Sequence, residues 1–227
     1  MALLLHIDTA TAIGAVSISK DGKLLQEKMS MQQRGHASVI IPFIKEMIQN
    51  LDIGFNQIDA VVISGGPGSY TGLRVATSTA KGLCYAWDLP LIAIPTLKMM
   101  ASGMKEEYPE MKGVVYCPMI DARRQEVFWA MYNADMNEIV APEAAILEAD
   151  FLDRFRNKKL FIGGTGRKKA SEILKNEENL LFSDYSCKSS HLIPLAEKAF
   201  AEKDFEDVAY FEPFYLKSVY LPNAKKR

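Results

Sequence analysis

Apolar residues along the chain follow two patterns, one typical of strands and one typical of helices. The order of these segments predicts a protein of mixed α and β structure. Short β-branched runs are typical of buried strands, whereas longer segments with apolar residues three or four positions apart are typical of helices. Up to residue 87 the pattern predicts strands at 3–7, 15–19, 24–29 and 59–63 and helices at 37–51 and 70–87. Asp21-Gly22, between the second and third strands, is a strong hairpin signal. The predicted order is βββαβα.

A charged stretch broken by proline, residues 105–110, divides the remaining elements. These are strands at 91–94, 114–120, 126–132, 138–146 and 160–164 and helices at 96–104, 151–156, 166–175 and 192–203. We therefore expect an α/β fold with two lobes, an N-terminal lobe at 1–104 and a smaller lobe at 105–227. The C-terminal helix and tail of the second lobe are expected to pack back on the first. No internal repeat is evident in the sequence.

A glycine-rich segment, Ser64–Arg74, joins the fourth predicted strand to the second helix. Ser69 is placed to cap that helix, and free N–H groups beside a glycine turn form a ready anion site. The alternative is a tight strand-to-helix connection without a ligand. A Walker P-loop is excluded because Leu73-Arg74 follows the last glycine, and the glycine spacing also excludes the dinucleotide-binding fingerprint.

Asp8 ends the first predicted strand and opens a turn rich in hydroxyl groups. Such a turn could contact a phosphate or a magnesium-bound water. The alternative, which these residue types favour, is an Asx turn in which the carboxylate accepts hydrogen bonds from its own backbone. On the first interpretation, the candidate phosphate- or nucleotide-binding residues are Asp8, Thr9, Gly66, Gly68, Ser69 and Thr71.

The two long helices carry more apolar or small surface than one core-facing stripe requires. The first half of the helix at 37–51 is apolar almost all round, and small residues recur every four positions along the helix at 70–87. We therefore expect these helices to form an interface with another subunit, with burial inside the same chain as the alternative. The expected interface residues are Val39, Phe43, Met47, Gly72, Ala76, Ala80 and Cys84.

Charge and composition narrow the class of protein. A net charge of −1 and a pI of about 6.3 give no global attraction to nucleic acid or anionic membrane, which argues against an RNA-binding module. The apolar N-terminus is short and lacks a basic flank, so it predicts a strand rather than a signal peptide, and no segment reaches the length of a membrane span. The three cysteines are far apart without a C-x-x-C motif, which is typical of reduced thiols in the cytoplasm.

Several motifs together resemble one family. They are Ile7-Asp8-Thr9, His36-Ala37-Ser38, Gly66–Arg74, Ala80-Lys81-Gly82-Leu83 and Ile120-Asp121-Ala122-Arg123. The order βββαβα with glycine turns after strands is that of the actin-like fold of sugar kinases, Hsp70 and actin (ASKHA). Within that fold the chain resembles the YeaZ/TsaB family, the smaller subunits of the bacterial machinery that makes threonylcarbamoyladenosine in tRNA. The resemblance covers the N-terminal lobe and the first strands of the second.

The resemblance implies a subunit without catalytic residues or a metal site. In TsaD, the paralogous catalytic subunit, two histidines spaced H-x-x-x-H bind iron or zinc. The matching positions here are Thr96 and Met100, whose hydroxyl and thioether cannot replace two imidazoles. The isolated chain is therefore expected to hold no cofactor, with ATP or ADP bound only in the complex.

The same resemblance implies partners and a role. The partners would be TsaD, the ATPase subunit TsaE and, for the isolated chain, a second copy of itself, with tRNA contacted only indirectly or weakly. The role would be to activate threonylcarbamoyl transfer to N6 of the adenosine next to the tRNA anticodon by dimerising with TsaD. The alternative is an enzyme in its own right: a nucleotide-dependent kinase or hydrolase that uses Asp8 and the glycine turns, or a peptidase.

Other candidate sites have simpler interpretations. Asp121, Arg123 and Glu126 could form an acid/base group, but a structural ion pair at a turn is favoured. The basic runs at 167–169 and 225–227 are more typical of solvated surface than of tRNA contacts. The histidines are expected to pack, cap or lie at the surface: His6, His36 and His191.

Overall fold

The structure, a computed structural model, describes residues 2–31, 36–174 and 178–217, apart from the side chains of residues 36 and 37. A five-stranded sheet in the order β3-β2-β1-β4-β5 forms the first half. Its strands are β1 (Leu3–Asp8), β2 (Gly14–Lys20), β3 (Lys23–Ser30), β4 (Ala60–Ser64) and β5 (Leu91–Ile94). β1 is antiparallel to β2 and parallel to β4, which is parallel to β5.

Two helices, α1 (His36–Asn50) and α2 (Tyr70–Trp87), cover one face of this sheet. Leu5 and Ile7 of β1 contribute to that core, while the alternate residue Leu4 points to the opposite face. Ser69 caps α2 through a hydrogen bond from the Gly72 N–H to the Ser69 hydroxyl, which confirms the predicted cap. The helix ends at Trp87, as the sequence predicts.

A second five-stranded sheet has the order β10-β9-β6-β7-β8. Its strands are β6 (Val115–Asp121), β7 (Glu126–Tyr132), β8 (Glu138–Ile146), β9 (Leu160–Gly163) and β10 (Leu180–Phe182). β6 is antiparallel to β7 and parallel to β9, so the second sheet repeats the topology of the first. This repeat is one of strand order and not of residue identity, so no internal repeat is evident in the sequence.

Three further helices complete the fold: α3 (Thr96–Glu107), α4 (Arg167–Ile173) and α5 (Ile193–Glu202). α3 packs between the sheets, and Leu97, Met100 and Met104 are buried in the core shared by both halves. The lobe boundary expected after residue 104 thus lies within α3. The helix predicted at 151–156 is a single 3-10 turn, Asp153–Phe155, and β10 was not predicted.

A C-terminal strap, residues 204–217, returns along the first sheet. Glu206 bridges to Leu91 at the free edge of β5, and the Ala209 carbonyl accepts a hydrogen bond of 3.0 Å from Lys81 Nζ on α2. The strap then reaches the glycine turn, where the Phe214 N–H donates to the Gly65 carbonyl at 2.8 Å. None of the helices among the described residues is both long and apolar enough to cross a membrane.

Candidate functional site

Asp8 lies where the carboxyl ends of β1 and β4 meet, because neighbouring parallel strands end at the same edge of a sheet. Its Oδ1 accepts hydrogen bonds from the Ser64 hydroxyl at 2.6 Å and from the Ala10 N–H at 3.0 Å. Its Oδ2 accepts one from the Cys187 thiol at 3.4 Å. The bond from Ala10 confirms the Asx turn, the interpretation that the residue types favoured.

Burial decides the electrostatics of this carboxyl. Asp8 is fully buried, and the loss of solvation raises its pKa, while the hydrogen bonds from Ser64, Ala10 and Cys187 oppose that rise. Both carboxyl oxygens already accept hydrogen bonds from the chain itself. The group is therefore enclosed by the protein instead of being presented to a phosphate or a magnesium ion.

Three N–H groups of the glycine turn also have partners within the chain. Gly65 N–H donates to the Ile94 carbonyl at 2.8 Å, and Ser69 N–H donates to the Ala10 carbonyl at 2.7 Å. Gly66 N–H donates to the Thr96 hydroxyl at 3.0 Å. Gly66 and Ser69 are among the candidate anion-binding residues, so these hydrogen bonds favour the alternative of a tight structural connection.

Close backbone approach explains why glycines occupy this turn. A Cβ atom at Gly66 would overlap the Phe214 carbonyl of the strap, and Gly66 also has a φ of +108°. A Cβ at Gly68 would overlap the Ala10 carbonyl, and one at Gly72 would overlap the Thr9 carbonyl. Thr9 in turn donates from its hydroxyl to the Gly72 carbonyl at 2.6 Å. The glycines therefore admit neighbouring protein backbone.

The two positions that match the TsaD histidines have structural roles. Thr96 and Met100 are fully buried at the start of α3. Thr96 N–H donates to the Gly66 carbonyl at 2.8 Å, so this residue both gives and receives a hydrogen bond with the glycine turn. Across the described residues, no group of three or more His, Cys, Asp or Glu side chains is arranged to hold a metal ion.

A polar network that the sequence analysis missed fills the space beside Asp8. Beyond Cys187, the Tyr185 hydroxyl lies 2.8 Å from His191 Nδ1, and His191 Nε2 lies 3.3 Å from a Glu107 carboxyl oxygen. Burial lowers the pKa of His191, although Glu107 opposes that shift. Neither motif nor periodicity marks the segment from 183 to 191, so only its position in the fold reveals it.

The histidine interpretations are confirmed for the two side chains that the structure describes. His191 is buried in the network just described, and His6 is buried in β1 with its Nε2 at 2.8 Å from the Ser19 hydroxyl. Burial lowers the pKa of His6 to about 3, so this imidazole is neutral. The side chain of His36 and the basic run at 225–227 lie outside the described residues.

The seam of small residues on α2 faces inward, which corrects the expected interface. Ala76, Ala80 and Cys84 are at most 2% exposed and pack against the first sheet, as does Met47 of α1. Gly72 packs against the turn that follows β1. Val39 and Phe43 are half-buried. Small side chains let α2 approach its own sheet closely, so the alternative of burial inside the same chain holds for Met47, Gly72, Ala76, Ala80 and Cys84. For Val39 and Phe43, a contact with another subunit stays a prediction.

The opposite side of α2 is exposed and forms a groove of about 370 Å³. The residues that line it are Tyr70, Thr71, Arg74, Val75, Ser78 and Thr79. The Tyr215 ring of the strap packs against Tyr70 with centroids 5.1 Å apart, and the Arg74 guanidinium lies 5.1 Å from the same Tyr70 ring. Thr71, expected at a phosphate, belongs to this groove.

At the end of β6, Asp121 forms a surface ion pair. Its Oδ1 lies 2.6 Å from Lys169 Nζ and accepts a hydrogen bond of 2.7 Å from the Arg123 N–H. Glu126 pairs with Lys217 of the strap. The structural interpretation of this cluster is confirmed, with lysines rather than Arg123 as the cationic partners.

Comparisons with known proteins agree with this architecture. Residues 23–218 match the family model of TsaD, described as tRNA N6-adenosine threonylcarbamoyltransferase. The chain is 30% identical to the tRNA threonylcarbamoyladenosine biosynthesis protein TsaB of Haemophilus influenzae, over 95% of this chain and 93% of that protein. It is also 30% identical to the TsaB protein of Escherichia coli, over 95% of this chain and 94% of that protein.

A solved structure shows the same fold. YeaZ from Pseudomonas aeruginosa superimposes with a TM-score of 0.79 at 25% sequence identity, covering 95% of this chain and all of that one. The fold is therefore the expected two-lobed α/β architecture. The sequence matches extend over both halves, including the region after residue 147 in which the motifs are sparse. The chain belongs to the TsaB (YeaZ) family of tRNA threonylcarbamoyladenosine biosynthesis proteins.

Proposed function

We propose that this protein is a non-catalytic subunit in the synthesis of threonylcarbamoyladenosine in tRNA. It binds the TsaD-type catalytic subunit and activates transfer of the threonylcarbamoyl group to N6 of the adenosine next to the anticodon. The TsaE-type ATPase joins this complex. The names of the curated relatives support the pathway, and the closed end of the first sheet supports the non-catalytic role.

The enclosure of Asp8 is the observation that carries the proposal. A carboxylate that binds magnesium or acts as a general base must reach its ligand or substrate. Asp8 is fully buried, and Ser64, Ala10 and Cys187 surround its oxygens. The strap covers the neighbouring glycine turn at Gly66. The Asp8 carboxyl is thus used for internal hydrogen bonding.

In this proposal the isolated chain binds no nucleotide, and ATP or ADP binds only in the assembled complex. The reason is that the Gly65, Gly66 and Ser69 N–H groups already donate to the chain itself. Binding at the turn would require the strap and the Asp8 turn to move away. Calorimetry of the isolated chain with ATP and ADP is expected to show no binding at micromolar concentration, and tight binding with turnover would favour the stand-alone enzyme.

The exposed side of α2 is the surface that we propose for the TsaD-type partner. Its groove presents the Tyr70 ring, which packs against Tyr215, and the Arg74 guanidinium, and tyrosine and arginine are enriched at the centre of protein interfaces. A second copy of the chain would use the same face when the partner is absent, so self-association and partner binding compete. This surface replaces the buried seam as the proposed contact.

Two serine variants test this surface. Ser78 is exposed in the groove, and Ser186 is exposed on the segment next to Cys187. We expect Ser78→Arg to weaken binding of the TsaD-type subunit at least tenfold, because the arginine occupies the contact surface and brings an unpaired charge into it. Ser186→Arg adds the same side chain elsewhere and should bind normally. Isothermal calorimetry measures both, and unchanged binding of Ser78→Arg would contradict the proposed surface.

A further inference from the structure

The hairpin between β6 and β7 has an uncommon tip. Arg123 and Arg124 both lie in the left-handed region, with φ of +69° and +51°. That region is disfavoured for side chains with a Cβ atom and is normally taken by glycine, asparagine or aspartate. Two successive arginines are therefore a poor choice for the turn itself. A backbone outlier of this kind points to a function of the side chains that it carries.

The two carboxylates at the base of the hairpin do not balance the charge of these arginines. Asp121 pairs with Lys169, and Glu126 pairs with Lys217, so both acidic groups at the base of the hairpin are already engaged. Arg123 and Arg124 are exposed, and neither forms an ion pair with another described residue. The tip consequently presents two free guanidinium groups, although the whole chain has a net charge of −1.

We propose that the Arg123–Arg124 tip binds phosphate groups of an RNA backbone. A guanidinium donates two parallel hydrogen bonds to a phosphate and remains charged at every physiological pH. The tip is exposed, which suits the repeating phosphates of a backbone better than a free nucleotide, because small ligands need a cavity that encloses most of their surface. The inference rests on the proposed function, which makes tRNA the RNA concerned, and it assigns this subunit a direct contact with tRNA.

An acidic residue near the tip allows a second test of RNA binding. The Leu147 N–H donates to the Gln125 carbonyl at 2.9 Å, which brings the exposed residue Glu148 to the same end of the sheet as the tip. Its negative charge opposes the approach of a phosphate. Glu148→Gln should therefore strengthen RNA binding, whereas loss of the arginines should weaken it.

The test uses the full chain and a fluorescently labelled, unmodified tRNA transcript, with anisotropy measured at about 50 and 200 mM salt. The main variant is Arg123→Asn with Arg124→Asn, because asparagine tolerates the left-handed region and removes both charges. The matched control is the double variant Lys20→Asn with Lys23→Asn. It also removes two positive charges, but from the exposed turn between β2 and β3. Thermal melting should show the arginine variant as stable as the wild type, or more stable by about 2–4 °C.

We expect the arginine variant to bind tRNA roughly 5–10-fold more weakly at low salt and to have a salt slope smaller by about 1–2, as for the loss of one or two phosphate contacts. The lysine control should bind as the wild type does. Equal loss in both variants, or an unchanged salt slope in the arginine variant, would overturn the inference. Displacement of tRNA by stoichiometric ATP would also overturn it, because the tip would then be a nucleotide site.

Binding of the TsaD-type subunit is measured on the same samples. If wild type and variants all bind that subunit while tRNA binding is unaffected by the arginines, the inference fails and the proposed function stands. If the wild type binds tRNA through the tip but never binds the TsaD-type subunit, the proposed function fails instead. If the arginine variant loses the subunit but keeps tRNA, the tip is a protein-docking surface, which contradicts the inference.

Discussion

Asp8 and Asp121 occupy equivalent places in the two halves of the fold, since each is the last residue of the first strand of its sheet. Each opens the same Asx turn: Oδ1 accepts from the N–H two residues later, at 3.0 Å in Asp8 and 2.7 Å in Asp121. Their surroundings differ completely. Asp8 is fully buried with Ser64 and Cys187, whereas the side chain of Asp121 is 44% exposed and pairs with Lys169.

This difference shows that local sequence fixes the turn, while distant parts of the chain decide what the carboxyl can do. Around Asp8, the segment near Cys187 and the C-terminal strap close the end of the sheet. Around Asp121, the same edge remains at the surface beside an arginine-rich tip. This end of the first half is thus structural core, whereas the corresponding end of the second half exposes charged side chains.

The largest expected effect tests the closed end of the first half. Gly72→Ala should destabilise the protein by about 3 kcal/mol or more, because its Cβ would overlap the Thr9 carbonyl and disturb the bond from the Thr9 hydroxyl. Chemical denaturation measures the free energy of unfolding.

Gly82→Ala is the matched control on the same helix. A Cβ at Gly82 would meet no atom within 4 Å, so alanine should stabilise α2 by roughly 0.5–1 kcal/mol through its higher helix propensity. Similar stability of the two variants would show that the turn after β1 does not pack against α2 as described.

Local rules account for what the sequence predicted well. The Ser69 cap, the bounds of α2 and the Asx turn at Asp8 each depend on residues within a few positions of one another. The inward orientation of Ala76 was missed because small residues every four positions suit a close approach to a sheet as well as to another helix. The bond between Asp8 and Cys187 joins residues 179 positions apart, and no periodicity reports such a contact.

A smaller effect concerns the pH dependence of stability. Burial raises the pKa of Asp8 above the ordinary value of an aspartate, so the folded state holds this proton more tightly than the unfolded state. Stability contributed by the protonated carboxyl is complete below the unfolded pKa and is lost as pH rises through the folded pKa. Asparagine does not titrate, so Asp8→Asn does not lose stability in this way. Its stability relative to the wild type should therefore rise with pH above about 4. Denaturation at several pH values measures this difference.

Asp121→Asn is the comparison for that variant. Its carboxylate pairs with Lys169 at an exposed site, where such a pair contributes about 0–1 kcal/mol. We therefore expect a loss of less than about 1 kcal/mol at neutral pH. Two results together would contradict the assignment of Asp8 as the buried carboxyl and Asp121 as the surface one. Asp121→Asn would lower the free energy of unfolding by more than about 1 kcal/mol, and the stability of Asp8→Asn relative to the wild type would fall as pH rises.

The most direct test of the non-catalytic role is threonylcarbamoyl transfer to tRNA, reconstituted with TsaD-type and TsaE-type subunits from the same source and either the wild-type chain or Asp8→Asn. Because the Asp8 carboxyl is enclosed by the chain's own groups, we predict transfer rates that agree within about twofold, since a group outside the chemistry adds nothing to the barrier. Omission of the chain should abolish activation. A fall of about 100-fold or more with Asp8→Asn, in a complex that still assembles, is the size expected for loss of a general acid or base and would contradict the account.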